Sequence, residues 1–148
     1  MDLPTVPTAW DVNDKSTLLN VDANGLNVVC DENIEDVVIR ANFPIPSKCK
    51  LFYFEIDVID IKGEGIIAIG FCTNSAELRC ETDSWGYHSD DGDFFNCSIM
   101  NEPYGPEFKA KDTIGCYLNF KNKTAFYTKN GVNLGKYYLI SKLIYFKR

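Results

Sequence analysis

The groups best placed by type and spacing to bind an ion or move a proton run from His88 to Asp93, as HSDDGD. One imidazole is followed by three carboxylates, Asp90, Asp91 and Asp93. A calcium loop needs oxygen ligands at fixed intervals and a distal glutamate, and this run lacks that pattern. Asp91-Gly92 reads instead as a tight turn. His88 is the only histidine, so no His-rich metal site can form around it. Glu55 and Asp57 make a second acidic pair, with Glu64 nearby. Hydrolysis by paired carboxylates needs two carboxyls facing each other across a cleft, one with a raised pKa. Residues two apart on one strand face read as solvated side chains instead. Ser16, Ser75 and Ser84 lack the G-x-S-x-G setting of an activated serine. These residue types predict no catalysis, no metal and no cofactor.

Around the acidic run the sequence is that of a β framework. Trp85 and Tyr87 alternate about Gly86, the spacing of a strand with one buried face, so stacking on a ligand is the weaker reading of them. Leu18-Leu19 and Leu26 to Cys30 bracket Asn24-Gly25 and predict a first hairpin. Val37 to Ala41 is β-branched and reads as a strand, ended by Pro44 and Pro46. Phe52 to Ile59 is the clearest strand, with Phe54 and Ile56 on its core face. Ile66 to Cys72 is nearly all apolar and predicts a strand buried on both faces, with Gly70 allowing close backbone approach. Thr73 to Asp83 and Pro103 to Pro106 read as loops. Phe94 to Cys97, Thr113 to Phe120 and Thr124 to Thr128 read as strands, and Asn130-Gly131 closes a further hairpin onto Val132 to Leu134. Phe126 is assigned to the core with Trp85 and Tyr87. No segment has a helical period, and turn signals recur often, which predicts an all-β sandwich.

At 148 residues the chain is one domain by length, large enough to bury a core without staples. Its formal net charge is −6, which argues against nucleic acid as a partner. No basic amphipathic stretch or long apolar run points to a membrane. The six cysteines, Cys30, Cys49, Cys72, Cys80, Cys97 and Cys116, contain no C-x-x-C pair. Three disulfides in a secreted protein are one reading. Cys72 and Cys116 fall inside apolar strand patterns, where a free thiol packs as a small hydrophobe, and the start MDLPTVPTAWD has no signal-peptide pattern. Free thiols in the cytoplasm, with access to the nucleus, are therefore expected. The sequons at Asn96 and Asn122 read as chance.

YFEIDVI, IIAIGFC, SWGYHSDDG, PYGPEF, DTIGCYLNF and FYTKNGVNLG, in this order, resemble a SPRY domain, the core of the B30.2 module. Trp10-Asp11 and Phe43-Pro44-Ile45-Pro46 are similar to the variety found in Ran-binding protein M and its relatives. The resemblance covers residues 10–137, with 1–9 an extended lead-in and 138–148 an apolar, basic tail. It implies a bent sandwich of two antiparallel sheets that is not an enzyme and binds a peptide or protein partner through loops at one end. It also implies a scaffold or substrate-recruiting role in a ubiquitin-ligase-type complex, and very similar domains occur in secreted parasite effectors. The partner loops of such domains map onto 31–36 and 74–83. The first offers Asp31, Glu32, Asn33 and Glu35, and the second Glu77, Leu78, Arg79 and Glu81. That acidic rim with one apolar residue suits a peptide carrying Lys or Arg beside a small hydrophobe. The tail lacks the family's Tyr-Pro and closing strand, so an improvised sheet edge is expected there.

Two functional classes follow. The leading one is a monomeric, non-catalytic protein-interaction module. The alternative is a lectin-like sandwich that binds carbohydrate, which exposed Trp or Tyr on a concave sheet face would favour.

Overall fold

The computed structural model describes residues 5–30, 37–46, 48–73, 84–96 and 100–138. The described residues form antiparallel strands and no helix. They divide into two compact units, one up to Lys48 and one from Cys49 onward.

The first unit is built on the hairpin of β1 (Leu19–Val21) and β2 (Val28–Cys30), in register from Leu19↔Cys30 to Val21↔Val28. Asp22 organises the turn between them. Its carboxylate accepts the N–H groups of Leu26 and Asn27 and the Asn27 side-chain amide at 3.0, 3.2 and 2.7 Å. Residues 37–41, expected as a strand, form only one bridge, Trp10↔Ala41. β-branched residues gain from a sheet only where cross-strand partners exist, and here the facing segment is a short lead-in.

The second unit holds two four-stranded sheets, ordered β10-β9-β8-β3 and β4-β5-β6-β7. β3 (Leu51–Asp57) pairs with β8 (Thr113–Asn119) over seven residues, and β9 (Thr124–Lys129) and β10 (Val132–Tyr138) follow as successive hairpins. Between β9 and β10, Asn130 and Gly131 both have positive φ, 51° and 81°, as a two-residue hairpin turn matched to strand twist requires. The inner face of β8 and β9 presents Ile114, Cys116, Leu118, Ala125 and Tyr127, all buried.

The other sheet contains β4 (Ala68–Cys72), β5 (Ser84–His88), β6 (Asp93–Asn96) and β7 (Met100–Pro103). β4 is not buried on both faces as its apolar run predicts. Ile69 and Phe71 are buried while Ala68 is exposed, because an antiparallel sandwich strand has only one inner face. Gly70 lies opposite Gly86, and a Cβ on it would stand 1.8 Å from the Trp85 carbonyl oxygen. Of β7 only the last residue, Pro103, carried an expectation, as the start of a loop. The strand pairs with β6 through its backbone, so its polar side chains and terminal proline gave no strand pattern.

Asp112 fastens the ends of β3, β8 and β9. Its carboxylate accepts the Lys109 N–H and the Asn130 side-chain amide, both at 2.9 Å, and the Lys129 ammonium lies 3.6 Å away. Its backbone carbonyl accepts the Val58 N–H at 2.9 Å. The Asn130 side-chain hydrogen bond, then that of the Lys109 backbone, holds the carboxyl below its ordinary value of 3.8. The stabilisation is therefore complete above about pH 4 and fades as pH falls through the depressed folded value. Asp112→Ala should cost about 2–3 kcal/mol near neutral pH in urea unfolding, and should flatten the loss of stability between about pH 5 and pH 2. An unchanged acid profile would refute the role given to Asp112.

Candidate functional site

Rings from both sheets meet at Tyr127. Its centroid lies 5.6 Å from Tyr87, 5.8 Å from Phe94, 5.8 Å from Tyr104 and 6.5 Å from Phe71. Trp85 and Tyr87, expected in the core, are 1% and 0% exposed. The Tyr104 hydroxyl accepts the Tyr127 N–H at 2.9 Å and donates to the Gly135 carbonyl at 2.6 Å. The β9–β10 register shifts between Asn133 and Lys136, so this hydroxyl bridges the interruption in the ladder. Tyr87 donates its hydroxyl hydrogen to the Pro106 carbonyl. Gly105 N–H donates to Gly92 C=O at 2.9 Å, and Phe108 N–H to Ser89 C=O at 3.1 Å. SWGYHSDDG, PYGPEF and FYTKNGVNLG are therefore tied to one another. Burial pushes the phenols of Tyr87 and Tyr104 up to about 12, and raises Tyr127 and the Cys116 thiol well above their ordinary values.

The eight partner residues expected from the sequence, Asp31, Glu32, Asn33, Glu35, Glu77, Leu78, Arg79 and Glu81, lie outside the described residues. What flanks them is described. Cys30 ends β2 opposite Leu19, and the two roots of 74–83 stand on the ladder pair Cys72↔Ser84, next to buried Phe71 and Trp85.

Among the expected core residues, Phe54 and Ile56 face inward as predicted but are only half-buried. Phe54 meets Phe71 edge-on at 5.6 Å. Among the described residues β3 is the last strand in its sheet, so none of them lies beyond it in the ladder to cover these side chains as β8 and β9 cover each other's. Phe126 does not belong to the core. It points away from buried Ala125 and Tyr127, onto the outer face, and stacks on Tyr117 at 4.2 Å with planes 9° apart. Tyr53 stacks on the other side of Tyr117, also at 4.2 Å.

This outer trio bears on the carbohydrate alternative. A sugar-binding platform offers flat ring faces to the ligand. Here the rings stand side by side across β3, β8 and β9, and Tyr117 spends both faces on its neighbours. Tyr53 also donates its hydroxyl hydrogen to Glu55. The trio works as a cross-strand ladder that supports the sheet.

The ligand atoms of His88, Asp90 and Asp91 lie within 4.8 Å of one another. Asp91 Oδ1 accepts the Asp93 N–H at 2.8 Å, and the His88 ring stacks on Phe95 at 5.7 Å. Both contacts serve the β5–β6 turn, and Asp90 and Asp91 are exposed.

Two facing antiparallel sheets, tied by aromatic rings and carrying connecting segments on rigid ladder pairs, define a β-sandwich scaffold of the kind that displays loops. A family model for the SPRY domain matches residues 51–143, and the chain belongs to the SPRY family. It is 38% identical over 138 residues to a Ran-binding proteins 9/10 homolog of Drosophila melanogaster, covering 88% of this chain and 14% of that one. Human Ran-binding protein 9 is 36% identical over 138 residues, covering 88% and 19%. The Ran-binding protein M homolog of Arabidopsis thaliana is 43% identical over 103 residues, covering 67% and 22%. The chain thus spans less than a quarter of these relatives. A crystal structure of a human SPRY domain superposes with a TM-score of 0.52 at 33% identity, covering 57% of this chain and 59% of that one. The SPRY domain of human HERC1 shares the fold at a TM-score of 0.50 and 16% identity, covering 61% and 58%.

Two hydroxyls in the aromatic cluster should respond oppositely to deletion. Tyr104→Phe strips a partner from the Tyr127 N–H and the Gly135 carbonyl and should cost about 1–3 kcal/mol in urea unfolding. The Tyr127 hydroxyl is buried with no hydrogen-bond partner among the described residues. Tyr127→Phe should leave stability unchanged or raise it by about 1 kcal/mol. Equal losses in both variants would contradict the bridging role of Tyr104.

Proposed function

We propose that this chain is a non-catalytic protein-interaction module that captures a peptide or protein partner through the segments 31–36 and 74–83. The observation that carries this is the pairing Cys72↔Ser84, which stands next to two buried side chains of the sheet, Phe71 and Trp85. A segment anchored in this way can vary its side chains while its ends stay fixed, as recognition loops on rigid scaffolds do. Membership of the SPRY family, and relatives named for binding Ran, support a protein as the partner.

Asp31, Glu32, Glu35, Glu77 and Glu81 give the rim its negative charge, Asn33 a neutral amide, Leu78 an apolar anchor and Arg79 a single cation. Such a rim selects a partner segment in which Lys or Arg stands beside a small hydrophobe, and its charges act mainly on association rate and discrimination. The recognition module spans residues 10–137. Within a larger assembly of ubiquitin-ligase type, it supplies the substrate-recruiting or scaffold surface. The cytoplasm or nucleus suits the free thiols of Cys49 and Cys116.

Replacing Glu77, Leu78 and Arg79 together with alanine should abolish capture of partners from cell lysate, read by mass spectrometry against the unmodified chain. Thermal unfolding should shift by no more than roughly 2 °C, because surface substitutions away from caps and core cost little. Undiminished capture by the triple variant would sink the site assignment.

A further inference from the structure

The first unit carries a cleft of about 500 Å³, within the size range of ligand-binding sites. Its walls come from the lead-in around Trp10, the turn of the β1–β2 hairpin and the segment at Phe43. Backbone hydrogen bonds fix these walls. Trp10 N–H donates to Gly25 C=O at 2.8 Å, Asp11 N–H to Arg40 C=O at 2.8 Å and Asn42 N–H to Ala9 C=O at 2.9 Å. The Trp10 indole N–H donates to Leu26 C=O at 3.1 Å, which holds the ring in place. The cleft is therefore formed before anything enters it, and binding there costs little ordering of the protein.

The lining combines apolar surface with charge of one sign. Val12 and Phe43 are 53% and 43% exposed, and Trp10 is half-buried. Asp11 and Asp22 are the only ionisable residues of the lining among the described residues. Hydrogen bonds from the Asn27 side chain and backbone hold the Asp22 carboxyl below its ordinary value, so it is ionised throughout the neutral range. Asp11 accepts the Asn13 N–H with Oδ1 at 2.9 Å. The Asp22 carboxylate is satisfied within its turn but, with Asp11, still makes the lining negative, so a cationic ligand is favoured there and an acidic one is repelled.

We propose that this cleft is a second contact surface of the module, taking a short extended segment of a protein partner in which Lys or Arg adjoins an aliphatic or aromatic side chain. The apolar group covers Val12 and Phe43, and the cation faces Asp11 and Asp22. This assignment rests on reading the chain as a protein-interaction module, but it uses none of the residues of 31–36 or 74–83.

The test uses the full chain and three fluorescein-labelled hexapeptide pools, with Leu-Arg, Leu-Lys or Leu-Glu fixed at the centre and the flanking positions randomised. Anisotropy reads binding. Acrylamide quenching reads the cleft, because Trp85 is only 1% exposed and the accessible tryptophan is Trp10. The Leu-Arg and Leu-Lys pools should bind and shield Trp10, more weakly as salt rises, and the Leu-Glu pool should not bind. Asp11→Asn keeps the acceptor for Asn13 and should weaken binding about two- to fivefold, and Asp11→Lys should abolish it. Thermal unfolding confirms that each variant folds; if the lysine variant does not, Asp11→Asn and the salt series still decide. Alanine at Glu77, Leu78 and Arg79 should leave pool binding unchanged, which separates failure of this cleft from failure of the loop reading. Equal binding of the Leu-Glu pool, no binding of either basic pool, or loss of binding in the loop variant overturns the proposal.

Discussion

The second unit depends on one crossing point, where the Tyr127 ring and backbone meet Tyr104. The ring joins the sheets through Tyr87, Phe94 and Phe71. The backbone gives its N–H to a hydroxyl delivered from outside the strand pair. A bulge normally leaves backbone groups without ladder partners, and a buried one is costly. Here the same phenol that packs on the core also serves the broken ladder at Gly135. Hydrophobic packing and hydrogen bonding thus specify a single arrangement of Tyr104, and the segment from Pro103 to Phe108 is held along with it. Its other ties, Gly105 to Gly92 and Phe108 to Ser89, join it to the β5–β6 turn.

This explains why short motifs far apart in sequence mark the fold when each is weak alone. Much of the framework was legible. The period-two pattern of Phe52 to Ile59 gave β3 and its faces, and Asn130-Gly131 gave the last hairpin. What was not legible depends on partners that local sequence does not display. Val37 to Ala41 has the propensity of a strand but only one bridging neighbour. Met100 to Pro103 has little strand propensity, yet β6 offers it a row of backbone partners. Phe126 and Tyr127 are adjacent aromatics on opposite faces, and composition alone does not say which one faces the core. The eight loop residues named from the resemblance gain from the structure only the positions of their flanking anchors.

The two faces of the β10-β9-β8-β3 sheet use aromatic residues differently. Inside, the rings tilt or meet edge to face across the core. Outside, Tyr53, Tyr117 and Phe126 stack nearly parallel along the cross-strand direction. Gly115 makes room for this arrangement, since a Cβ there would stand 2.3 Å from Thr128 Oγ1 and 3.1 Å from the Tyr53 ring. A high aromatic content therefore does not identify a ligand platform. The orientation of the rings decides whether their faces remain available.

The pair Cys72↔Ser84 has a consequence of another kind. Its two strands stay in register through Gly70 and Gly86, whatever chain is threaded between their ends. Closing a longer loop costs only about 0.6 kcal/mol for each doubling of its length. The segment between them can thus be swapped for one of different length or composition at small thermodynamic cost. The hairpin is a socket, and natural variation or a synthetic library could refit it without redesigning the protein beneath.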